Sequence, residues 1–381
     1  MAEEAKGIGY SAFDATAPRK KVKIGMLGRG FMGKAHSNAY KKIDYLFESN
    51  YSPELVAIGA TTLANAENAA ARYGFEKAYE GWKAVIDDPD VEVVDNVMAA
   101  HEESCIYAAE KGKAIICEKP MVAGKAAGKR MLDAVKKAGV KNAVTYNYRF
   151  MPSVRLAYDL IRKGAIGDII HFYGRYHQSY GLPLDAPATA VWYQNQDGNA
   201  QGLCTHLIDQ ARFLMNTEVA TIFGDVRNVP GRPHDDRVSA LVEFANGATG
   251  TLENSSLCYG KWNELFWEIY GTKGMISFNL EDVAHLIVDV KNPDFPELNG
   301  QQRISVTQPG HPFMDVWWPA GHNTGWEHGH INLLAHCLDC IVNDKDIDPL
   351  CATFEDGYRV AAVVEAMEDS SKQGKKIDIE Y

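Results

Sequence analysis

The segment that most limits what this chain can fold into is Lys23-Ile24-Gly25-Met26-Leu27, an apolar run that opens directly into Gly28-Arg29-Gly30-Phe31-Met32-Gly33. A G-x-G-x-x-G run alone is weak evidence, because glycine triplets occur in many loops. Here a strand pattern precedes it and a helical pattern, Lys34 to Tyr45, follows, which is the context the motif needs. The first glycine permits a tight turn, the second lets backbone approach a pyrophosphate, and the third lets helix and strand pack closely. Amides at the start of the helix then face the anion.

The alternation continues. Leu55 to Ile58 reads as a second buried strand and Ala64 to Tyr73 as a helix closed by Gly74. Trp82 to Ile86 reads as a short helix, Val91 to Met98 as a strand, Cys105 to Lys111 as a helix and Ala114 to Cys117 as a strand. Gly124 to Ala138 is helical and Ala143 to Tyr146 is another strand. Strands separated by helices of this length predict a doubly wound parallel sheet.

Past residue 150 the texture changes. A helix, Val154 to Lys163, precedes a strand at Ile169 to His177 and a helix at Leu203 to Met215. Strand-like runs then recur at Ala220–Val226, Val238–Phe244, Ala248–Leu257, Glu264–Tyr270, Met275–Asn279 and Leu286–Val290, with turns at Asn246-Gly247 and Gly271 to Gly274. Helical patterns at Glu327–Ile341 and Phe354–Lys372 end the chain. The expected fold class is α/β. An N-terminal arm, 1–20, leads into a Rossmann domain, 21–146, and then an α/β domain, 147–381, with a large, mostly antiparallel open sheet. A length of 381 residues fits two cores better than one.

The net charge of −11 leaves no basic surplus to neutralise phosphates, so a nucleic acid or an anionic membrane is not the expected partner. No stretch approaches the apolar length of a membrane helix, and residues 1–20 lack the apolar core of a secretory signal. Seven scattered cysteines suit free thiols in a reducing cytoplasm.

At the end of the second strand, where an acidic residue usually holds the adenosine ribose, the chain reads Gly59-Ala60-Thr61-Thr62. Thr61 or Thr62 could bond a ribose hydroxyl or a 2′-phosphate, and Arg29 could reach the phosphate. No basic cluster follows, so NAD is the expected cofactor, with NADP left open.

Glu118-Lys119-Pro120 follows the strand at Ala114–Cys117, placing an amine at the sheet edge where ligands bind. It resembles the EKP signature of the Gfo/Idh/MocA oxidoreductases. Tyr146 to Pro152 is similar to that family's entry into its second domain, and Thr205-His206-Leu207-Ile208-Asp209 to its catalytic-histidine helix. The tail, Trp317 to His322 and Trp326 to His328, looks closest to the levoglucosan dehydrogenase and glycoside 3-dehydrogenase branch. The resemblance runs from Lys21 to Lys376.

It implies Lys119 and His206 as the catalytic pair. It also implies Gly28, Gly30, Phe31, Met32, Gly33, Thr61, Thr62, Met98, His101, Glu118, Lys119 and Asn147 as cofactor contacts. Physically, a lysine beside a cationic nicotinamide has a lowered pKa and can relay the hydroxyl proton, an effect of ~10²–10⁴ in rate. Two positions depart from the family pattern. Gly202 stands where an aspartate usually precedes the histidine, and Met98-Ala99-Ala100 stands where Thr-Pro-Asn is common, with Glu103 in place of a histidine. Asp209 reads as a structural partner of His206 as readily as a catalytic one.

Sugars need aromatic faces and hydroxyl-bonding groups. Tyr146, Tyr148, Arg149, Tyr176, His177, Trp192, Tyr193, Trp318, His322 and Asn323 supply that chemistry, with Lys119 and His206. The group His322, His328, His330 and His336 and the single Cys337-x-x-Cys340 lack the paired motifs of a zinc site, so no metal is expected. The reading is an NAD(P)-dependent oxidoreductase acting on a secondary hydroxyl, at carbon 3, of a sugar or glycoside, in a cytoplasmic homodimer or homotetramer. One alternative is a tightly held NAD used transiently for glycoside cleavage or transfer of oxidising equivalents. An inositol dehydrogenase and a non-catalytic NAD sensor rank lower.

Overall fold

The computed structural model describes residues 16–190 and 198–381, so most of the N-terminal arm, and the candidates Trp192 and Tyr193, lie outside the described residues. Strands β1 (Lys20–Leu27), β2 (Tyr51–Ala60), β3 (Lys77–Glu80), β4 (Val93–Asn96), β5 (Ala114–Cys117) and β6 (Asn142–Val144) form one sheet. All its pairings are parallel, in the order β3-β2-β1-β4-β5-β6. Helices α1 (Phe31–Leu46), α2 (Leu63–Tyr73), α3 (Lys83–Asp87), α4 (Glu102–Glu110) and α5 (Lys125–Ala138) connect the strands. Gly74 does close α2 in the left-handed conformation, φ 84°. The strand β3 escaped the sequence reading because its Lys-Ala-Tyr-Glu is short and only partly buried.

A mixed, mostly antiparallel sheet forms the second layer. Between α6 (Pro152–Arg162) and α7 (Thr205–Met215) runs β7 (Ile169–His177). After α7 come β8 (Val219–Arg227), β9 (Arg237–Phe244), β10 (Thr249–Ser255), β11 (Glu264–Gly271), β12 (Gly274–Asn279), β13 (His285–Val290) and β14 (Gln302–Ser305). The order is β14-β13-β12-β11-β7-β10-β9-β8-β15, closed at the edge by β15 (Ile377–Asp378), and β7 with β10 is its parallel pair. Its covered face takes Phe172 and Tyr176 from β7. Gly174, between them, has no side chain where α7 crosses, and a Cβ there would lie 2.6 Å from Leu207. The other face leaves Phe223 and Leu241 exposed.

The last helices, α8 (Trp326–Val342) and α9 (Phe354–Gln373), return to the first sheet. Ile331, Leu334 and Leu338 of α8 share a core with Ile24, Met26, Ile58 and Ile116 on one face. On the other face, Gly357 of α9 packs so closely on Met121 that a Cβ would lie 2.6 Å from its sulfur. Both faces of the parallel sheet are therefore covered, as its continuous apolar strands require. The carboxyl ends of β1, β4 and β5 open toward α7 and α8.

Candidate active site

In the order β3-β2-β1-β4-β5-β6 the strand sequence reverses between β1 and β4, and ligands of such sheets bind beyond the strand ends at that point. Gly28 sits there at φ 106°, a conformation that excludes ordinary side chains. A Cβ on Gly30 would meet no protein atom within 4 Å, so the space beside that turn is left for something else. Gly30 caps α1 with no side-chain hydrogen bond and no acid in the first turn, which leaves the leading amides to an anion. These residues fit a dinucleotide pyrophosphate. Asn147 adds a buried Nδ2 with no partner. Thr62 caps α2, accepting from the Asn65 amide at 3.3 Å, and Thr61 is exposed.

At the end of β5 the backbone turns through Glu118 and Lys119. The carboxylate of Glu118 accepts from Thr145 Oγ1 at 2.5 Å, from the Lys119 amide at 3.0 Å and meets His36 Nε2 at 3.2 Å. His36 reaches Asp95 through Nδ1 at 2.9 Å, and Tyr40, one turn on, donates to the same carboxyl at 3.0 Å. Burial pushes the His36 imidazole toward neutrality, but Asp95 and Glu118 outweigh it and raise its pKa to about 10. Burial also opposes ionisation of Glu118, yet His36 holds it down at about 2.

Lys119 is half-buried and donates from Nζ to the carbonyl oxygen of Gly202 at 2.8 Å. That carbonyl belongs to a wide π-type turn, Ala200–Cys204, which leads into α7 and His206. Such turns recur at functional sites. Burial lowers the lysine pKa, with Glu118 partly opposing. His206 lies among Tyr148, Tyr146 and Tyr176, with ring centroids 4.6, 5.9 and 5.9 Å away. Burial first, then Lys119 and after it His330, hold it well below the usual imidazole range. It is a neutral imidazole near an amine whose proton burial holds less firmly than usual.

A model of the oxidoreductase family with an NAD-binding Rossmann fold matches residues 22–146, and one of the GFO/IDH/MocA C-terminal domain matches residues 154–277. The levoglucosan dehydrogenase of Pseudarthrobacter phenanthrenivorans is 34% identical across 94% of this chain and 98% of its own. The chain belongs to the Gfo/Idh/MocA oxidoreductases. A solved levoglucosan dehydrogenase in complex with NADH and levoglucosan superposes with a TM-score of 0.89, covering 95% of this chain and all of that one at 34% identity. An oxidoreductase domain protein from Kribbella flavida gives 0.90 at 30% identity, again covering 95% of this chain and 100% of its own. As a member of this family the protein is an oxidoreductase with an NAD-binding Rossmann domain.

Not every residue expected at the Gfo/Idh/MocA site faces the cleft. The guanidinium of Arg149 is buried against Asp209, with Nη2 at 2.6 Å and Nε at 2.9 Å, so Asp209 is engaged by Arg149. His177 follows Tyr176 on β7 and points to the opposite face, between Glu253 at 3.3 Å and Glu264 at 3.9 Å. Tyr176, whose hydroxyl meets that of Tyr148 at 3.0 Å, is the neighbour that turns inward. Both ring nitrogens of His101 meet backbone carbonyls, of Pro120, Met121 and Met98. The ring thus staples the Met98 loop to the EKP segment and has no nitrogen left for a ribose. His322, Asn323 and Trp318 are exposed. Phe31 is exposed and stacks on Trp326 at 5.4 Å.

The sequence reading missed His36, Tyr40 and Asp95, and weighed His330 only as a metal ligand. Asp95 was the available signal, an acid inside the apolar strand Val93–Asn96 that needs a buried partner. His36, Glu118 and His330 do offer three ligand atoms within 4.8 Å of one another. Yet His36 is bound through both nitrogens and held as an imidazolium, and a cation would have to displace that proton. The group reads as an ion pair with a neutral imidazole beside it.

Proposed function

We propose that this protein oxidises a secondary hydroxyl of a sugar or glycoside, at carbon 3, with NAD. The observation that carries the reading is the 2.8 Å bond from Lys119 Nζ to Gly202, which joins the end of β5 to the turn into His206. Bound NAD would supply the hydride acceptor, held by the Gly28–Gly33 turn with Asn147 alongside. Lys119, its pKa lowered by burial, orients the hydroxyl and passes its proton on, and the neutral His206 takes it. Tyr146, Tyr148 and Tyr176 line the histidine side with aromatic edges suited to a sugar ring. Carbon 3 rests on the tail's likeness to the glycoside 3-dehydrogenase branch, and the levoglucosan dehydrogenases among the similar proteins support a sugar as substrate.

The division into an arm, a cofactor domain at 21–146 and a substrate domain at 147–381 belongs to this reading, as does a cytoplasmic setting. No helix among the described residues is long and apolar enough to cross a membrane. The open sheet face carrying Phe223 and Leu241 is assigned to a homodimer or homotetramer contact, which size-exclusion chromatography with light scattering tests. For the chemistry, NADH formation is followed with levoglucosan, glucose, myo-inositol and aryl glycosides. Reduction with a sugar or glycoside, giving a 3-keto product by NMR, is the expected result, and no reduction with any of them rejects the reading. Cleavage of a glycoside beyond one turnover without added NAD would instead favour transient use of a held cofactor.

A further inference from the structure

His330 lies in the second turn of α8, 2% exposed, and neither of its ring nitrogens has a hydrogen-bond partner. Buried polar atoms are nearly always bonded, so an orphaned pair calls for a partner. Its position is fixed from several sides. The ring packs on Trp326 at 4.5 Å, and Trp326 stacks on Phe31 of the glycine turn. Glu327 anchors the start of α8 to α1 through Asn38 at 2.9 Å and Lys42 at 2.8 Å. Gly329 sits so near Asn147 that a Cβ would lie 3.0 Å from the Asn147 carbonyl oxygen, and Asn147 carries an orphaned donor of its own. The unsatisfied atoms therefore gather where the cofactor turn, β5 and α8 meet.

The electrostatics say what such a ring can hold. Burial, then His36, lower its pKa to about 3, with Lys119 acting in the same sense and Glu118 opposing. A neutral imidazole offers one donor and one acceptor. That pair matches a hydroxyl, which also gives and takes, and mismatches an anion, which only accepts. A ring nitrogen of His330 lies within 4.8 Å of ligand atoms of Glu118 and His36, and Glu118 immediately precedes Lys119. The hydroxyl on a neighbouring ring carbon lies within hydrogen-bond reach of the one being oxidised, so it is the natural occupant.

We propose that His330 is a substrate-binding, specificity-determining residue that hydrogen-bonds the hydroxyl adjacent to the reacting one, selecting rings with vicinal hydroxyls. The inference rests on the sugar-oxidising function proposed above.

The experiment compares wild type, His330→Ala and His330→Gln on the best sugar of the panel and on its 2-deoxy and 4-deoxy counterparts. On the intact sugar His330→Ala raises KM roughly ten- to a hundredfold, with a smaller change in kcat. His330→Gln, which keeps a donor and an acceptor, recovers most of the loss. On one deoxy sugar wild type and His330→Ala converge. Calorimetry gives an unchanged NAD affinity and a weakened sugar affinity for the enzyme–NADH complex. Equal losses on the intact and both deoxy sugars, or weakened NAD binding with an unchanged sugar KM, overturn the proposal. If the alanine variant does not fold, wild type alone decides, because full activity on both deoxy sugars also overturns it. A wild type that oxidises no sugar fails earlier and differently, by rejecting the function itself.

Discussion

Two sides of one cleft use the same side chain in opposite ways. On the floor, His36 stands between Asp95 and Glu118 and keeps its proton up to about 10. On the wall, His206 stands among tyrosines, near the amine of Lys119, and sheds its proton well below the usual range. Both are buried, so burial alone does not set the charge of an imidazole. Whether a carboxyl or a cation comes next does. The floor holds a charge in place, and the wall stays neutral.

Lys119 is the seam between them, following Glu118 in sequence and bonded to the turn before His206. Lys119→Ala should therefore have the largest effect, lowering turnover by ~10²–10⁴ while NAD titration shows the cofactor still bound. Near-normal turnover would remove the amine from the chemistry. Next comes the floor. Asp95→Asn leaves the shape but strips one partner from a buried pair, and should lower stability by about 3–5 kcal/mol in urea unfolding. A loss no larger than a surface substitution would mean that His36 is not held as described.

The pH dependence tests the contrast directly. Between 6.5 and about 10, folded His36 keeps a proton that the unfolded side chain has lost, so stability falls as the pH rises through that window. Between 6.5 and about 3, unfolded His330 takes a proton that the folded ring refuses, so stability falls as the pH drops. Each limb has a slope of about 1.4 kcal/mol per pH unit per proton. His36→Phe should flatten the alkaline limb and also alter the acid limb, because His36 helps hold down the pKa values of His330 and Glu118, and an unchanged alkaline limb would contradict the assignment. The neutral wall should be milder. Tyr148→Phe loses one neutral hydrogen bond, to Tyr176, and about 0.5–1.5 kcal/mol. Gly202→Ala places a Cβ where no atom lies within 4 Å, so it should gain about 0.4–1 kcal/mol. A raised sugar KM in the same variant would show that substrate fills that space.

The parallel sheet was legible because its signals are local. Ala114–Cys117 is an apolar run bounded by turns, and Gly74 ends a helix by its own chemistry. The cleft was legible only in part. Lys119 and His206 were found through motifs, but His36 meets Asp95 and Glu118 across 59 and 82 residues, and no local pattern announces such a meeting. Alternation along β7 separates Tyr176 from His177 without saying which face is covered. Arg149 looked free to bind a sugar because its partner Asp209 lies 60 residues away, and had been read instead as a neighbour of His206. In the tail the sequence pattern does not separate exposed from buried histidines. Its exposed loop holds His322 and Asn323, whereas His330 is the histidine that reaches the interior.

Ile331, Leu334 and Leu338 of α8 seal one side of the first sheet. During synthesis the parallel sheet thus waits for a segment that lies far beyond it in the chain. Until those turns emerge, Ile24 and Ile58 stay wet on that side, and the nucleotide cradle lacks a finished back. Coenzyme capture should then follow synthesis of α8 rather than completion of the parallel sheet.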